Sequence, residues 1–211
     1  MNELIKVKNL KKDYYTKDSI INAINNISLD IEDNQFITII GPSGCGKSTL
    51  LNILYNLEKP TSGSINYQDN LSLGYMLQED ALLPWLSIYD NAILGLKITN
   101  KNDNEHITYV NKLLNNYGLK DFINKYPFEL SGGMKQRVAL IRTLATKPDV
   151  LFLDEAFSAL DYQSRLSISN DVYNIIKKEK KTAIMITHDI GEAISLSDIP
   201  NLFPAQNAPT F

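Results

Sequence analysis

The sequence of 211 residues contains a single cysteine, no long apolar run and almost no net charge. Cys45 cannot form an intramolecular disulfide, so a reducing compartment such as the cytoplasm is expected. The N-terminus has no apolar segment of the kind found in secretory signals, and runs such as residues 183–186 are far shorter than the roughly 20 residues that span a bilayer. We therefore expect a soluble chain.

The charged residues are nearly balanced, with 21 Lys and Arg against 24 Asp and Glu and a formal net charge of -3. This balance does not favour a general polyanion binder or an electrostatic membrane clamp, so nucleic acid is not an expected partner. A hydrophobic content of 44% over this length suits one globular domain, or one core with a subdomain.

Strand-like runs of β-branched and aromatic residues alternate with helical patterns, which predicts an α/β domain. Residues 36–40, 150–153 and 183–187 are almost continuously apolar, as parallel strands covered on both faces are. We expect these three runs to form the central sheet. The other predicted strands are residues 5–7, 28–31, 64–67 and 74–77.

A long middle segment, between residues 87 and 146, shows no strand pattern. Apolar residues recur there with a period near 3.6, in residues 107–117 and 134–144, which is typical of helices with one buried face. The sequence therefore predicts a helical subdomain.

The motif GPSGCGKST, at residues 41–49, directly follows the apolar run 36–40. It matches the P-loop pattern, in which backbone N–H groups surround phosphate oxygens and the next helix directs its positive end at them. Lys47 is expected to reach the β- and γ-phosphates, Ser48 to bind Mg²⁺, and Thr49 to add a polar contact. Cys45, at a helix N-terminus, suggests a redox role, but a small loop residue is the simpler interpretation. The predicted phosphate-binding residues are Gly41, Pro42, Ser43, Gly44, Cys45, Gly46, Lys47, Ser48 and Thr49.

Two adjacent carboxylates, Asp154 and Glu155, follow the predicted strand 150–153. Ligands of open α/β sheets lie at the carboxyl ends of the strands. We therefore expect Asp154 to face the Mg²⁺ shell and Glu155 to polarise the attacking water. An acidic strand end that simply leads into a loop is the alternative.

Both histidines and one glutamine need separate interpretation. His188 follows the run 183–187 and could contact a terminal phosphate or orient the water, because imidazole donates and accepts near neutral pH. Gln78 ends the run 74–77, and its amide could sense the metal and the water, although a capping glutamine explains the spacing equally well. His106 lies in a polar segment without a partner in the pattern, and we expect a solvated surface residue.

A second glycine turn, Ser131-Gly132-Gly133 within LSGGMKQR, precedes a helical pattern. Exposed N–H groups at a helix N-terminus suit an anion, whereas an ordinary Ser N-cap followed by glycine is the alternative. The two glycine turns lie in different predicted subdomains. They can meet one nucleotide most simply if two chains pack head to tail with each ATP between them.

In this order, the motifs resemble those of the ATP-binding subunits of ATP-binding cassette (ABC) transporters. They are GPSGCGKST, Gln78, LSGGMKQR, VLFLDE, SALD at residues 158–161 and THD at residues 187–189, and the resemblance covers about residues 3–198. It implies a P-loop NTPase fold with a mostly parallel central sheet, an N-terminal antiparallel β part and the helical subdomain. It also implies ATP and Mg²⁺ as cofactors and ATP hydrolysis coupled to transport.

The same resemblance implies roles for residues far apart in the chain. Ser131, Gly132 and Gly133 would form the signature loop that closes on the partner's ATP, and Asp161 would connect the two sites of the dimer. Gln78 would join Ser48 and Asp154 around the metal. An aromatic residue near the N-terminus would stack on adenine, and Tyr14 fits that position best, with Tyr15 as the alternative.

The stretch QEDALLPW, at residues 78–85, and Met134 after the signature glycines resemble the ATPases of importers for nitrate, sulfonate and taurine. In that group the ATPase is paired with membrane permeases and an external binding protein, which implies a peripheral position on the cytoplasmic face of the membrane. An apolar surface beside Gln78 would hold a permease helix. Its residues would be Leu82, Leu83, Trp85 and Leu86, with packing of Trp85 inside the helical subdomain as the alternative.

The resemblance ends after Asp198, where the family pattern continues with another strand and a turn. Three prolines in residues 199–211 disfavour a central strand or helix, so we expect a shortened or altered tail there. Two other classes stay open. A soluble ABC ATPase acting on DNA or ribosomes would share the nucleotide machinery, and an inactive regulatory cassette would account for the unusual tail.

Overall fold

The computed structural model describes residues 2–158 and 162–202. Its first layer is an antiparallel sheet in which β1 lies between β2 and β4. The three strands are β1 (Glu3–Tyr15), β2 (Ile20–Glu32) and β4 (Ser62–Tyr67). The predicted antiparallel N-terminal part is confirmed, with strands longer than the apolar runs that indicated them.

The second layer is a parallel sheet with the strand order β5-β6-β7-β3-β8. Its strands are β3 (Phe36–Ile40), β5 (Leu73–Met76), β6 (Val150–Asp154), β7 (Thr182–Thr187) and β8 (Ile199–Leu202). Every residue of β3 and β7 is buried. This confirms the central parallel sheet predicted from continuous apolar runs, because strands covered on both faces lack polar alternation.

Two apolar clusters cover the two faces of the parallel sheet. On one face, Phe152 and Ile184 pack with Leu51 of helix α1 (Lys47–Leu54) and with residues of β1. On the other face, Leu153 and Met185 pack with the helices that follow β5. Alternate residues of one strand therefore belong to different clusters, as the two-residue period of a β-strand requires.

The segment between β5 and β6 is helical, and the structure has no strand there among its described residues. Its α-helices are α2 (Ile88–Ala92), α3 (Leu94–Thr99), α4 (Asn104–Asn116) and α5 (Gly132–Leu144). Helices α4 and α5 begin earlier than their apolar patterns because Asp103 and Ser131 act as N-caps. An N-cap side chain accepts a hydrogen bond from a backbone N–H group of the first helical turn. That turn lies before the first buried residue, so the apolar pattern alone does not show where the helix begins.

Two helices, α6 (Tyr162–Lys178) and α7 (Ile190–Leu196), precede β7 and β8 respectively. Residues 199–202, directly after Asp198, form β8 and pair in parallel with β3 at the edge of the sheet, which agrees with the expectation that the prolines disfavour a central strand. An edge strand tolerates Pro200, since a proline whose nitrogen faces away from the neighbour loses no ladder hydrogen bond. Asp198 anchors the strand by accepting a hydrogen bond from the backbone N–H of Phe36 at 2.8 Å. Pro204 and Pro209 lie outside the described residues.

Candidate nucleotide-binding site

The loop of residues 41–46 connects β3 to α1 at the carboxyl edge of the parallel sheet. Gly44 and Gly46 have φ angles of 78° and 99°, in the left-handed region that favours glycine. At Gly46 a Cβ atom would lie only 2.2 Å from the backbone oxygen of Ala23 in β2. The loop can therefore approach β2 this closely only with glycine at this position.

The Lys47 side chain lies beneath the loop, with only 4% of its surface exposed. Its Nζ atom donates to the carbonyl oxygens of Gly41 and Pro42 at 2.8 and 3.0 Å. The same atom lies 3.7 Å from Oε1 of Glu155. The lysine thus brings a buried positive charge to the concave side of a loop whose backbone N–H groups can bind anions.

Asp154, the last residue of β6, contacts two hydroxyl groups. Ser48 Oγ donates to its Oδ1 atom at 3.2 Å, and the Tyr75 hydroxyl donates to its Oδ2 atom at 2.9 Å. Burial, followed by the nearby Asp154 charge, raises the pKa of Tyr75, so this phenol stays protonated and donates. The contact between Ser48 and Asp154 confirms that the P-loop and the acidic strand end meet.

Ser48 and Asp154 provide a hydroxyl and a carboxylate, the hard oxygen donors that Mg²⁺ prefers. The described residues contain no cluster of three or more His, Cys, Asp or Glu side chains suited to a metal. Mg²⁺ usually takes only one or two protein ligands and completes its shell with water and substrate phosphates. The donor set therefore fits Mg²⁺ bound together with a nucleotide.

Glu155 has a left-handed backbone conformation, with φ of 41°, directly after the strand. Its backbone N–H still bonds Ile186 of β7 at 3.1 Å, so the turn stays attached to the sheet. Its side chain lies between Lys47 and His188, whose Nδ1 atom is 3.2 Å from Oε2. Holding a non-glycine residue in this backbone conformation costs about 1–3 kcal/mol of folding free energy, and residues held in this way are concentrated at functional sites.

Sequence reasoning missed Glu192, a buried carboxyl beneath the loop that carries His188. Its Oε2 atom accepts from the Thr187 hydroxyl at 2.6 Å, and that hydroxyl oxygen accepts from the backbone N–H of Asp189 at 3.0 Å. Burial raises the pKa of Glu192, so its neutral form is favoured relative to an exposed glutamate. The sequence does not indicate that Glu192 is buried, because a glutamate in the first turn of an amphipathic helix such as α7 usually faces water.

A cleft of about 330 Å³ opens above the loop, within the usual size range of ligand clefts. Tyr14 lines this cleft and Tyr15 does not. The Tyr14 hydroxyl donates to Glu58 Oε2 at 2.9 Å, and the Lys12 amine lies 5.0 Å from the centre of its ring. The structure therefore places the preferred aromatic residue, Tyr14, beside the candidate site. The other lining residues are Ile21, Asn22, Ala23, Ser43, Gly44, Gly46, Lys47, Ser48, Thr49 and Glu155.

Cys45 is buried in the loop, and its backbone N–H bonds the carbonyl oxygen of Pro42 at 3.3 Å. Burial of this thiol supports the interpretation of a small loop residue. His106 differs from our expectation of a solvated residue without a partner, because its Nδ1 atom lies 2.8 Å from Oδ2 of Asp103. The N-cap of α4 supplies this partner, and spacing alone did not indicate that the two side chains meet.

Not every predicted site residue reaches the cleft. The Gln78 amide donates to Ser158 Oγ at 3.0 Å, and no contact joins Gln78 to Ser48 or Asp154 among the described residues. Ser131 and Gly132 are exposed, Gly133 is partly exposed, and none of the three lines the cleft. Asp161 lies outside the described residues.

The apolar stretch beside Gln78 is exposed only in part. Trp85 is 70% exposed, so the alternative in which it packs inside the helical segment is wrong. Leu82, in contrast, is buried and must be removed from the predicted surface. Two more exposed aromatic residues, Tyr126 and Phe128, stack on each other with ring centres 5.9 Å apart and precede the signature loop.

The fold and this site define a P-loop nucleotide hydrolase. The ABC transporter family matches residues 24–158 of the chain. The chain is 47% identical to an uncharacterized ABC transporter ATP-binding protein, YtlC of Bacillus subtilis, over 92% of this chain and 76% of that protein. It is 41% identical to the aliphatic sulfonates import ATP-binding protein SsuB 1 of Agrobacterium fabrum, over 83% of this chain and 63% of that protein.

A solved structure is also similar. It is the dimeric post-hydrolysis state of the ATP-binding cassette MJ0796 bound to ADP and Pi, with a TM-score of 0.77 and 31% identity over 95% of this chain and 94% of that chain. The present chain belongs to the ABC transporter ATP-binding family and is an ATPase. None of its described helices is both long enough and apolar enough to cross a bilayer.

Proposed function

We propose that this chain powers the import of a small solute, such as nitrate, a sulfonate or a taurine-like molecule, by hydrolysing ATP beneath a membrane permease. The arrangement of Lys47, Glu155 and His188 at one sheet edge is the observation that carries the proposal. The name of the sulfonate import relative supports the solute class. The transported solute itself would be selected by the permease and by an external binding protein.

Phosphate binding is assigned to the loop and Lys47. The Lys47 amine would exchange the carbonyl oxygens of Gly41 and Pro42 for β- and γ-phosphate oxygens, while the glycine-rich backbone surrounds them. Ser48 and Asp154 would hold Mg²⁺, with Gln78 approaching as its loop moves. When bound, the metal neutralises phosphate charge. Tyr14 would stack on the adenine at the open end of the cleft.

Water activation is assigned to Glu155 and His188. Glu155 Oε2 would accept a proton from the attacking water, because the carboxylate lies beside the P-loop lysine and is turned off the strand. His188 would orient this carboxylate or contact the terminal phosphate, since its Nδ1 atom lies 3.2 Å from Oε2. The neighbouring lysine keeps a positive charge where negative charge develops during transfer.

Each ATP would lie between two copies of the chain packed head to tail. The cleft is lined by residues of β1, β2, the P-loop and α1 and by Glu155, whereas residues 131–133 do not line it and lie at the start of α5. Ser131, Gly132 and Gly133 would therefore complete the site of a partner, with Asp161 between the two sites. The dimeric state of the MJ0796 cassette supports this assembly.

Permease binding is assigned to the exposed part of the stretch after Gln78. Trp85 would insert beside a permease helix, since a large exposed aromatic residue is typical of interface anchors. The chain would then lie peripherally on the cytoplasmic face of the membrane. Residues 1–198 would form one ATPase domain, with residues 87–146 as a helical subdomain that moves when ATP binds.

The test is to trap the dimer with Glu155→Gln. Removing the base should slow hydrolysis by about 10²–10⁴-fold and leave ATP bound, so the variant should elute as a dimer with Mg-ATP in sizing chromatography. Glu105→Gln, a change at an exposed glutamate of α4 paired with Lys147, is the matched control and should keep full hydrolysis. A Glu155→Gln variant that binds Mg-ATP and stays monomeric would contradict the shared site.

A further inference from the structure

The hydroxyl of Tyr75 contacts the acidic strand end, and the proposed mechanism does not use it. Tyr75 belongs to β5, the neighbour of β6, and it pairs in register with Phe152. Residues 152 and 154 lie on the same face of β6, because side chains alternate along a strand. The phenol of Tyr75 thus reaches the Asp154 carboxylate from the adjacent strand rather than from the loop.

Packing holds the Tyr75 ring in addition to the hydrogen bonds of its hydroxyl. Tyr55, just after α1, packs edge-on against both Tyr75 and Phe152, with ring centres 5.1 and 5.8 Å away. Such edge-to-face pairs have a preferred geometry and hold the rings in place. The hydroxyl therefore has little freedom to leave Asp154.

Two oxygen atoms lie within hydrogen-bonding distance of the Tyr75 hydroxyl. They are Asp154 Oδ2 at 2.9 Å and Asn52 Oδ1 at 3.2 Å. A phenol has one hydrogen, and the charged carboxylate is the nearer and stronger acceptor. The hydrogen therefore points at Asp154.

The two oxygens of the Asp154 carboxylate have different partners. Oδ1 faces the Ser48 hydroxyl of the P-loop, and Oδ2 is held by Tyr75. The hydrogen bond from Tyr75 to Oδ2 restrains rotation of the Asp154 carboxylate. It therefore keeps Oδ1 directed at Ser48, where the two side chains would bind Mg²⁺ together. Partners of this kind orient metal-binding carboxylates, and their removal typically costs about 10–100-fold in metal affinity.

We propose that Tyr75 is a positioning residue for Asp154 and that its hydroxyl sets how strongly Mg²⁺ increases the affinity of this chain for ATP. The inference rests on the proposed function, because it concerns the same metal and nucleotide. It adds a residue of β5 to a site otherwise built from the P-loop, β6 and β7. Tyr75 would touch neither ATP nor the metal.

The test compares Tyr75→Phe with Tyr67→Phe by calorimetry of ATP binding, in EDTA and in saturating Mg²⁺. Tyr67 is the matched control because its half-buried hydroxyl donates at 3.0 Å to the backbone oxygen of Leu54, at the far end of α1. Tyr75→Phe should bind ATP as the parent does in EDTA and about tenfold more weakly than the parent in Mg²⁺. The Mg²⁺ concentration for half-maximal hydrolysis should rise by a similar factor. Tyr67→Phe should match the parent in both conditions.

The inference is overturned if Tyr75→Phe equals the parent in both conditions, if it is weakened equally in both, or if Tyr67→Phe shows the same selective loss. A parent chain that binds no ATP overturns the proposed function as well. A parent that binds ATP with no gain from Mg²⁺ overturns only the metal assignment and, with it, the role of Tyr75. The parent measurement therefore separates failure of the two proposals.

Discussion

The two glycine turns of this chain, residues 41–46 and residues 131–133, are both rich in glycine and have very different surroundings. The first leads into α1, and the second consists of the N-cap Ser131 and the first two residues of α5. The first contacts β2 and carries buried Lys47, and the ends of β6 and β7 lie close to it. The second begins with exposed Ser131, whose hydroxyl does no more than accept a hydrogen bond from Met134 N–H at 3.4 Å.

This difference explains why the first glycine segment lies at the candidate nucleotide cleft and the second does not. A helix N-terminus attracts anions in both places, but a strong site needs further charges and ligands that converge on it. The parallel sheet supplies them at the first turn, because β3, β6 and β7 end at the same edge. The second segment has the donors without the convergence, and in the proposed function a partner would supply the rest.

The largest effect is expected from Lys47→Ala in the first turn. Loss of a buried cation that contacts phosphate should weaken ATP binding by about a hundredfold or more in calorimetry. Lys47→Met, which keeps the buried stem, should behave in the same way, whereas Lys97→Ala at an exposed ion pair should match the parent. Unchanged ATP affinity in Lys47→Met would refute the role of the charge.

A smaller effect is expected from Ser131→Ala in the second turn. The affinity of a single chain for ATP should stay unchanged, while hydrolysis should fall by about 10–100-fold because one hydrogen bond to a charged phosphate is lost in the dimer. Asp103→Ala also removes a helix N-cap, in α4, and is the matched control for the loss of a cap. If both variants lose hydrolysis equally, Ser131 acts only as a cap and the contrast between the turns disappears.

The smallest effect is expected from Tyr14, which lines the cleft beside the first turn and is proposed to stack on adenine. Tyr14→Ala should weaken ATP binding by about tenfold, because stacking of an aromatic side chain on a base contributes about 1–3 kcal/mol. Tyr15→Ala, at the adjacent and 70% exposed residue, should leave the affinity unchanged. Inorganic triphosphate, which has no base to stack on, should remove the difference between the two variants, and the opposite ranking of Tyr14 and Tyr15 would reassign the stacking residue.

Much of the fold was predictable where the signal is local. The run 36–40, the P-loop and the first turn of α1 are contiguous, so strand, loop and helix could be predicted from neighbouring residues. Asp154 and Glu155 were predictable for the same reason, since they end a continuous apolar strand. The edge strand β8 was not, because an edge tolerates a proline that a central strand excludes.

Contacts between distant segments could not be predicted in the same way. Tyr75 and Asp154 are 79 residues apart, and nothing in the pattern of β5 indicates that its hydroxyl meets the acidic end of β6. Glu192 was missed because its helix face is determined by packing under Thr187. The burial of Leu82 beside exposed Trp85 also depends on the neighbouring helices.

The order of residues was sufficient to predict the groups of the proposed chemistry: a glycine-rich turn suited to phosphate, a strand ending in two carboxylates, a histidine after another strand and a second glycine-rich segment. Each depends on a few adjacent residues whose backbone and side-chain preferences act locally. The folded chain decided which of these groups meet. Strand order brings the ends of β3, β6 and β7 together and leaves residues 131–133 outside the cleft, because the neighbours of a strand depend on the packing of the whole sheet.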